Sequence, residues 1–253
     1  MADLLGKTAD LRGKTASSVR VDIYGGEDPA DLPRYSYQDA SRATQVPAST
    51  VAAWVRGMRY RRRDGKAGWF EPVMELPVEG DRRLSFNNLL EVNSLRALRE
   101  THKVQLGHVR EALQMAKQQY GVARPLISPE LYTTGGRLFL DRYLQLVELS
   151  PSRQLAMRTI MEQFLRRVRK DAGLDNFVFY PVPRYPKFSP NAEPLLVSPV
   201  IAFGNAIVGR IGVSTHAISS RYDTGEPKVE IIADYRLTED EFEEAILYES
   251  AAA

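Results

Sequence analysis

The sequence predicts an α+β protein, mainly helical, in which winged-helix and helix-turn-helix modules are joined by a helical middle region. Two observations support this fold class. Apolar residues recur at helical spacing through most of the 253 residues, and the segments between them are short and alternating or β-branched. A pair of short helical patterns is followed at once by a basic, glycine-containing segment suited to a hairpin. At roughly 100–200 residues per domain, the length suggests one large domain or two to three small ones.

The composition excludes several kinds of chemistry. The chain has no cysteine, which rules out a disulfide framework, thiolate catalysis and any cysteine-ligated metal. Its three histidines are widely spread, so we expect no histidine metal site and no cofactor. Gly13-Lys14-Thr15 resembles the end of a phosphate-binding loop, but Thr8 stands where the first glycine should be. Because no nucleophile is paired with a base either, we expect no catalytic residues and no enzymatic activity.

The hydropathy pattern bears on location. No stretch approaches the roughly 18 uninterrupted apolar residues of a membrane span. The first residues also lack the apolar core of a signal peptide. We therefore expect a cytoplasmic protein with no membrane partner.

Changes in composition divide the chain into predicted parts. They are a flexible amino-terminal tail (1–33), a winged helix-turn-helix (34–80), a helical middle region with a β-hairpin (81–175), a strand with a proline-rich linker (176–196) and a carboxy-terminal module (197–253). In and beside the middle region, the apolar spacing predicts a strand at 71–80, helices at 85–99, 106–120 and 150–170, and a hairpin at 131–147. The apolar stripes of these helices exceed what one small domain needs, which favours a homodimer.

The most distinct local pattern is a helix-turn-helix. Helices are predicted at 37–44 and from 47 or 48 to 56, with a turn between them. Val51, Trp54 and Val55 form an apolar stripe that should face the core. The opposite face carries small and hydroxyl-bearing side chains, which allow close approach and can bond to phosphates or base edges. The DNA-binding residues predicted on these two helices are Arg42, Ser49, Thr50, Ala53 and Arg56.

A run of basic residues follows the second helix directly. Between 57 and 68 the run is interrupted by one acidic residue and contains three glycines, which suit a hairpin wing. Each arginine that neutralises a DNA phosphate would add about 0.9 to the salt dependence of binding. A solvated loop is the alternative for the run taken alone, but its position beside the second helix favours phosphate binding. The residues assigned to this wing are Arg59, Arg61, Arg62, Arg63 and Lys66.

These residues carry a resemblance to a known family. The order Ala40 to Ala43, Val46, Thr50-Val51 and Trp54 resembles the winged-helix readers of the MerR and excisionase type. The resemblance implies double-stranded DNA as a partner. Ser41 departs from the usual alanine, and Gln45 departs from the usual turn glycine. Gln45 would be strained if its φ angle is positive.

The carboxy-terminal module is predicted to contain two short strands within 197–213, followed by helices at 214–221, 228–235 and 239–249. Thr238 and Glu241 form a capping-box pattern at the start of the last helix. Residues 225–253 carry nine acidic and two basic side chains, whereas residues 1–70 carry eight acidic and twelve basic ones. A basic front and an acidic end favour two different partners.

Several blocks of this module resemble the antitoxin module known as domain of unknown function 433. The blocks are Ser198-Pro199 with Phe203-Gly204, Gly209 to Thr215, Arg221 to Glu226, Ile231 to Thr238, and Glu243 to Glu249. Such modules occur in VapB-like antitoxins encoded beside PIN-like ribonuclease toxins. The segment from Ile23 to Pro29 also resembles the longer members of that group. The resemblance implies a DNA-binding antitoxin that represses its own operon and inhibits a toxin ribonuclease.

The acidic end modifies this inference. Modules of that type are themselves similar to a helix-turn-helix, which would suggest a second DNA reader. An acidic final helix would repel phosphates, however, so we assign it to contact with a toxin whose RNA groove must be basic. The alternative is a solvated helix that completes the core of the module. The toxin-binding residues predicted here are Glu239, Asp240, Glu243, Glu244 and Tyr248.

Three hypotheses for the function remain open from the sequence. The first is the antitoxin of a toxin–antitoxin pair that represses its own operon. The second is a stand-alone MerR-like regulator that senses an effector and has no toxin partner. The third is a structural adaptor whose helix-turn-helix has lost contact with DNA. A neighbouring gene for a PIN-like nuclease would favour the first, small-molecule binding the second, and the lack of DNA binding the third.

Overall fold

The computed structural model describes residues 24–62, 64–102, 109–110, 113–114, 117–118, 124–127, 167–171 and 176–251. Within these ranges the chain is mainly helical with three small two-stranded sheets, which confirms the predicted fold class. The helices in these ranges are too short or too polar to cross a membrane. The predicted hairpin at 131–147 and most of the predicted helix at 150–170 lie outside the described residues.

The amino-terminal helix-turn-helix has the predicted bounds to within a residue. Helix α1 spans Tyr37–Thr44 and helix α2 spans Ala48–Arg56. Ser36 caps α1 in a reciprocal capping box with Asp39, which satisfies two backbone N–H groups at the helix start. The chain then forms an antiparallel hairpin of strands β1 (Met58–Arg61) and β2 (Ala67–Phe70).

The next helix, α3 (Phe86–His102), provides the largest part of the core beneath the helix-turn-helix. Leu89, Leu90 and Leu95 are fully buried, because this helix packs against α1 on one side. Ser85 and Asn88 bond reciprocally at its start, as capping residues do. The described positions 109–110, 113–114 and 117–118 are helical, in agreement with the predicted helix at 106–120.

Two further sheets and three helices form the carboxy-terminal part. Strand β3 (Val168–Asp171) pairs antiparallel with β4 (Asn176–Phe179), and β5 (Leu195–Leu196) pairs with β6 (Ile207–Val208). A short 3₁₀ turn lies between β5 and β6 at Ala202–Gly204. The helices are α4 (Thr215–Asp223), α5 (Lys228–Tyr235) and α6 (Glu239–Ser250), close to the predicted bounds.

Three local predictions were wrong. Residues 71–80 form bends and turns instead of a strand, because Val73 and Met74 donate their backbone N–H groups to a helix carbonyl. Residues 168–171 are the strand β3 and do not continue a helix, since β4 supplies their hydrogen-bonding partner. Of the two strands predicted within 197–213 only β6 forms, and it pairs with β5, which lies before 197.

Contacts cross the predicted module boundaries. Ala30, predicted to lie in a flexible tail, is buried, and its carbonyl accepts a hydrogen bond from the Asn87 backbone. Its neighbours at 24–33 form turns beside the core. One continuous cluster of buried side chains includes Trp54 of α2, Leu89 of α3 and Phe242 of α6. The helix-turn-helix therefore rests on the carboxy-terminal helices, and the proline-rich stretch between them packs along the same core.

Candidate nucleic-acid interface

Helix α2 has one face in the core and one face in solvent. Val51, Trp54 and Val55 are buried, as their spacing predicts. Ser49 and Arg56 are exposed on the opposite side. Helical geometry places these two residues, about two turns apart, on the same face. The face is narrow, free of bulky side chains and cationic at its carboxy-terminal end.

The side chains in the middle of this exposed face are small. Ala53 and Thr50 are half-buried, and no side chain on the face is larger than threonine until Arg56. The guanidinium of Arg56 lies 5.3 Å from the centre of the Tyr37 ring, a cation–π contact that orients it without neutralising it. The surface can therefore approach another backbone or a base edge closely.

The hairpin that follows α2, residues 58–70, is called the basic hairpin here. Its register pairs Arg59 with Trp69 and Arg61 with Ala67, so these side chains share one face of the ribbon. Trp69 remains 48% exposed beside Arg59. An exposed aromatic ring on the same face as two arginines is a chemistry suited to nucleic acid.

The other face of the basic hairpin is stiffened by an aromatic–glycine pair. Tyr60 lies opposite Gly68 and its ring covers that glycine so closely that an added Cβ would stand 2.6 Å from it. At the junction with α2, Gly57 has a φ of 72°, which favours glycine. A Cβ there would stand 2.4 Å from the Phe70 carbonyl oxygen. The two glycines let the hairpin fold back directly at the end of the helix.

Four cations of the basic hairpin have no carboxylate partner in the described part of the chain. Arg59, Arg61, Arg62 and Lys66 are exposed, and none forms an ion pair with a carboxylate of the described residues. Asp64 receives a hydrogen bond from the Lys66 backbone N–H, which shapes the turn. The predicted wing residue Arg63 lies outside the described residues. A positive surface therefore stands beside the exposed face of α2.

The turn between the two helices carries the predicted strain. Gln45 has a φ of 58°, in the left-handed region where glycine is usual. Its side chain donates to the Val182 carbonyl at 3.2 Å and accepts from Arg96 at 3.4 Å. These contacts hold the residue in a conformation that costs about 1 kcal/mol or more for a side chain other than glycine.

Sequence reasoning missed two arginines of α3 near this turn. Arg96 donates to the Thr44 carbonyl. Arg99 is exposed and lines, together with Thr50, a cleft of about 320 Å³. Their residue types alone gave no signal, because an arginine in a long helix usually faces solvent. Only the packing of α3 against α1 brings them next to the start of α2.

Arg42, by contrast, is not available in the way that the sequence suggested. Its guanidinium forms an ion pair with Glu249 of α6, and Asp39 lies 3.6 Å away. Its side chain is 22% exposed. Because this arginine is turned toward carboxylates of its own chain, the expectation that it contacts DNA is corrected: it links α1 to α6.

The acidic helix α6 is largely neutralised by neighbouring cations. Lys228 of α5 bonds to both Glu239 and Glu243, and Lys187 lies 3.2 Å from Asp240. The side chains of Glu239 and Asp240 are 67% and 40% exposed, so these pairs lie at the surface. Surface ion pairs contribute little to stability and can exchange partners. These carboxylates remain accessible to another protein.

Two predicted toxin-binding residues are interior instead. Glu244 is fully buried, and its carboxylate accepts backbone N–H bonds from Arg184 and Tyr185. Burial raises its pKa above the ordinary value. Tyr248 is 6% exposed, and burial raises its pKa as well. Neither side chain can form part of an exposed contact surface, since both complete the core between α6 and the rest of the chain.

The two amino-terminal helices, the tight turn between them and the cationic surface that adjoins the second helix define a helix-turn-helix protein. Residues 33–113 match a family model described as "Putative DNA-binding HTH domain", where HTH stands for helix-turn-helix. The match covers α1, α2, the basic hairpin and α3. The chain thus carries a helix-turn-helix domain of the DNA-binding type.

A curated sequence and a solved structure, both from Mycobacterium tuberculosis, are similar to most of the chain. A curated relative named "Putative antitoxin VapB45" is 24% identical over 232 residues, which cover 85% of this chain and 93% of the relative. The crystal structure of Rv2018 has a TM-score of 0.57 with 20% identity, and covers 85% of this chain and 98% of its own. The second comparison supports the overall fold. Neither tests the predicted resemblance to MerR readers or to domain of unknown function 433.

Proposed function

We propose that this protein is the DNA-binding antitoxin of a toxin–antitoxin pair, which binds its own operator and a PIN-like ribonuclease toxin. The observation that carries the DNA part is the row of cations on the basic hairpin, next to the exposed face of α2, for which the described residues supply no carboxylate partner. Exposed cations of this kind create a positive potential at the surface, which attracts a polyanion such as DNA.

In this proposal α2 enters the major groove. Ser49, Ala53 and Arg56 face base edges, with Arg56 suited to a guanine and Ala53 to a thymine methyl. Thr50 lies at the edge of that face. The basic hairpin and Arg99 bind phosphates on either side of the helix, which fixes its register but reads no sequence. If the protein is a homodimer, its operator would have two half-sites about one helical turn apart.

Binding to DNA from upstream of the gene tests this assignment. We expect a mobility shift at moderate salt, competed weakly by unrelated DNA. Arg56→Ala should alter the preference among operator variants, because it removes a base contact worth about 1–3 kcal/mol. Arg82→Ala is the matched control, since Arg82 is an exposed arginine outside the helix-turn-helix and the basic hairpin. The absence of any shift would overturn the DNA part of the proposal and favour a structural adaptor.

The toxin part rests on different support. A relative over most of the chain bears the name of an antitoxin. The outer side of α5 and α6 presents Val229, which is 76% exposed, close to Glu239 and Glu243, which share Lys228 as a partner. An exposed apolar residue on a surface that also carries carboxylates complements a partner whose RNA-binding groove is basic. We assign the toxin contact to this surface, with Asp240 at its edge.

Co-expression with the product of the neighbouring gene tests the toxin part. We expect a PIN-like nuclease to co-purify with this chain and to be inactive in the complex. Val229→Asp and Glu239→Lys should each weaken the complex at least tenfold, whereas Glu79→Lys, an exposed loop substitution, should not. Intact DNA binding without any such neighbour or complex would favour the second candidate, a stand-alone transcriptional regulator.

A further inference from the structure

A cavity of about 440 Å³ lies between residues 72–77 and the helical positions 110, 113, 114 and 117. Its volume falls within the range of small-molecule sites in proteins. Met74, Leu113 and Leu126 form an apolar floor and are nearly fully buried. The basic hairpin itself is not part of the lining, so the cavity is separate from the proposed DNA surface. It is called the hairpin-base pocket here.

A buried carboxylate that lines the hairpin-base pocket already has hydrogen-bond donors from the protein. Glu91 is buried, and its carboxylate accepts from Asn88 at 2.7 Å and from Arg124 at 3.3 Å. Burial raises the pKa of Glu91 despite the nearby Arg124, which reduces the charge that it presents. The carboxylate in the pocket is therefore already held by the protein's own donors.

Two cations that line the pocket, Arg110 and Lys117, are paired less strongly than Glu91. Arg110 donates to the backbone carbonyls of Glu71 and Pro72 and lies 5.4 Å from the Phe70 ring, but no carboxylate of the described residues pairs with it. Among the residues that the structure describes, Lys117 pairs only with Glu75, whose side chain is 83% exposed. An exposed pair of this kind exchanges its partner at little cost. Two cations thus face a cavity with an apolar floor.

The wall of the pocket is attached to the helix-turn-helix. Val73 and Met74 donate their backbone N–H groups to the Trp54 carbonyl at 2.7 and 3.2 Å, at the end of α2. Glu71 and Pro72, which Arg110 holds, directly follow β2 of the basic hairpin. An occupant of the pocket would contact the segment that follows the hairpin and bonds back to α2.

We propose that the hairpin-base pocket binds a small organic anion with an apolar body, whose carboxylate lies at Arg110 and Lys117 and whose body packs on Met74, Leu113 and Leu126. Charge selects the anion, because no buried carboxylate of the described residues pairs with Arg110 or Lys117. The apolar floor selects a compact hydrophobic body, because burying it removes apolar surface from water. Binding in this pocket does not depend on the proposed DNA or toxin partner. The pocket proposal and the proposed function can therefore fail independently of each other.

Titration calorimetry with phenylacetate on the full chain tests the proposal. We expect saturable 1:1 binding with a millimolar dissociation constant, on the order of what so small a ligand can reach. Phenylacetamide and phenethylamine, which keep the ring but are neutral or cationic, should bind at least tenfold more weakly. Equal binding of all three compounds, or no saturable binding of phenylacetate, would overturn the proposal.

Four variants locate the binding. Arg110→Gln and Lys117→Gln should each weaken phenylacetate binding at least fivefold, since each removes a charged donor. Gln114→Phe narrows the pocket and should weaken phenylacetate binding similarly. Gln118→Phe changes an exposed helical position outside the lining and should leave binding unchanged. If Arg110→Gln lowers the melting temperature, Lys117→Gln and Gln114→Phe still decide. Unchanged affinity in both of those variants would overturn the assignment.

The two tryptophans give an independent readout. In protein labelled with 5-fluorotryptophan, fluorine NMR would show one resonance from buried Trp54 and one from Trp69 of the basic hairpin. Trp69→Phe assigns them. Phenylacetate should shift the Trp54 resonance with the same dissociation constant as in calorimetry, because the pocket wall bonds to the Trp54 carbonyl. A titration that leaves both resonances unchanged would contradict the proposed position.

Discussion

Arg42 and Glu249 form an ion pair that joins the first helix of the helix-turn-helix to the last helix of the chain. Thr215 of α4 donates its hydroxyl to the same Glu249 carboxylate. The side chains of the pair are 22% and 12% exposed, so both charges are largely removed from water. The pair fixes the last helix of the chain against the first helix of the helix-turn-helix.

Removing one partner of this pair should destabilise the fold. Arg42→Gln or Glu249→Gln should lower the free energy of unfolding by about 1–3 kcal/mol, between the values for surface and for buried pairs. The double variant should cost less than the sum of the two, as residues in direct contact do. Urea denaturation measures all three. Asp240→Asn, which breaks an exposed pair with Lys187, is the control and should change stability by less than about 1 kcal/mol.

Gly57 should be the least replaceable residue at the junction of α2 and the basic hairpin. Gly57→Ala combines a positive φ with a Cβ 2.4 Å from a backbone oxygen, so we expect the free energy of unfolding to fall by about 3 kcal/mol or more. Gly65→Ala, at a φ of 80° with open space around it, should lose only about 1 kcal/mol. Thermal unfolding compares the two, and equal losses would show that the hairpin can move away from the helix.

The basic hairpin should contribute affinity without sequence preference. Replacing Arg61, Arg62 and Arg63 together by alanine should weaken binding to all DNA sequences and lower the salt slope by about 2.7, or 0.9 per lost phosphate contact. The slope is measured from binding constants between 50 and 200 mM salt. An unchanged affinity and slope would refute the assignment of the hairpin to phosphates, even if α2 binds DNA.

The buried carboxylate Glu91 should make stability depend on pH. Its pKa is raised in the folded protein by burial, so the folded state holds its proton more tightly than the unfolded chain. Stability attributable to this group is therefore present below its ordinary pKa of 4.5 and falls as the pH rises through the raised value.

Glu91→Gln should remove that part of the pH dependence while it keeps an acceptor for Asn88. Urea unfolding of both proteins between pH 4.5 and 7.5 measures it. The difference in stability between variant and wild type should shift in favour of the variant as the pH rises. A wild type that gains stability relative to the variant over this range would show that the attraction of Arg124 outweighs burial.

The sequence by itself determined the local elements at both ends of the chain. Ser36 with Asp39, and Thr238 with Glu241, mark helix starts, because a side chain within three residues satisfies the free backbone donors. The stripe that includes Trp54 identified the buried face of α2, since helical spacing places those residues together. The hairpin followed from its glycines. All of these signals act between residues close in the sequence.

Only the tertiary structure decided which charged side chains remain free. Arg42 and Glu244 carry the same formal charges as Arg61 and Glu239, and nothing in the local sequence separates them. The fold places Arg42 against a carboxylate 207 residues away and encloses Glu244 under two backbone N–H groups, whereas the hairpin arginines meet no carboxylate of the described residues. Charge pairing depends on distances of a few ångströms between distant segments, and packing of α1 and α3 against α6 sets those distances.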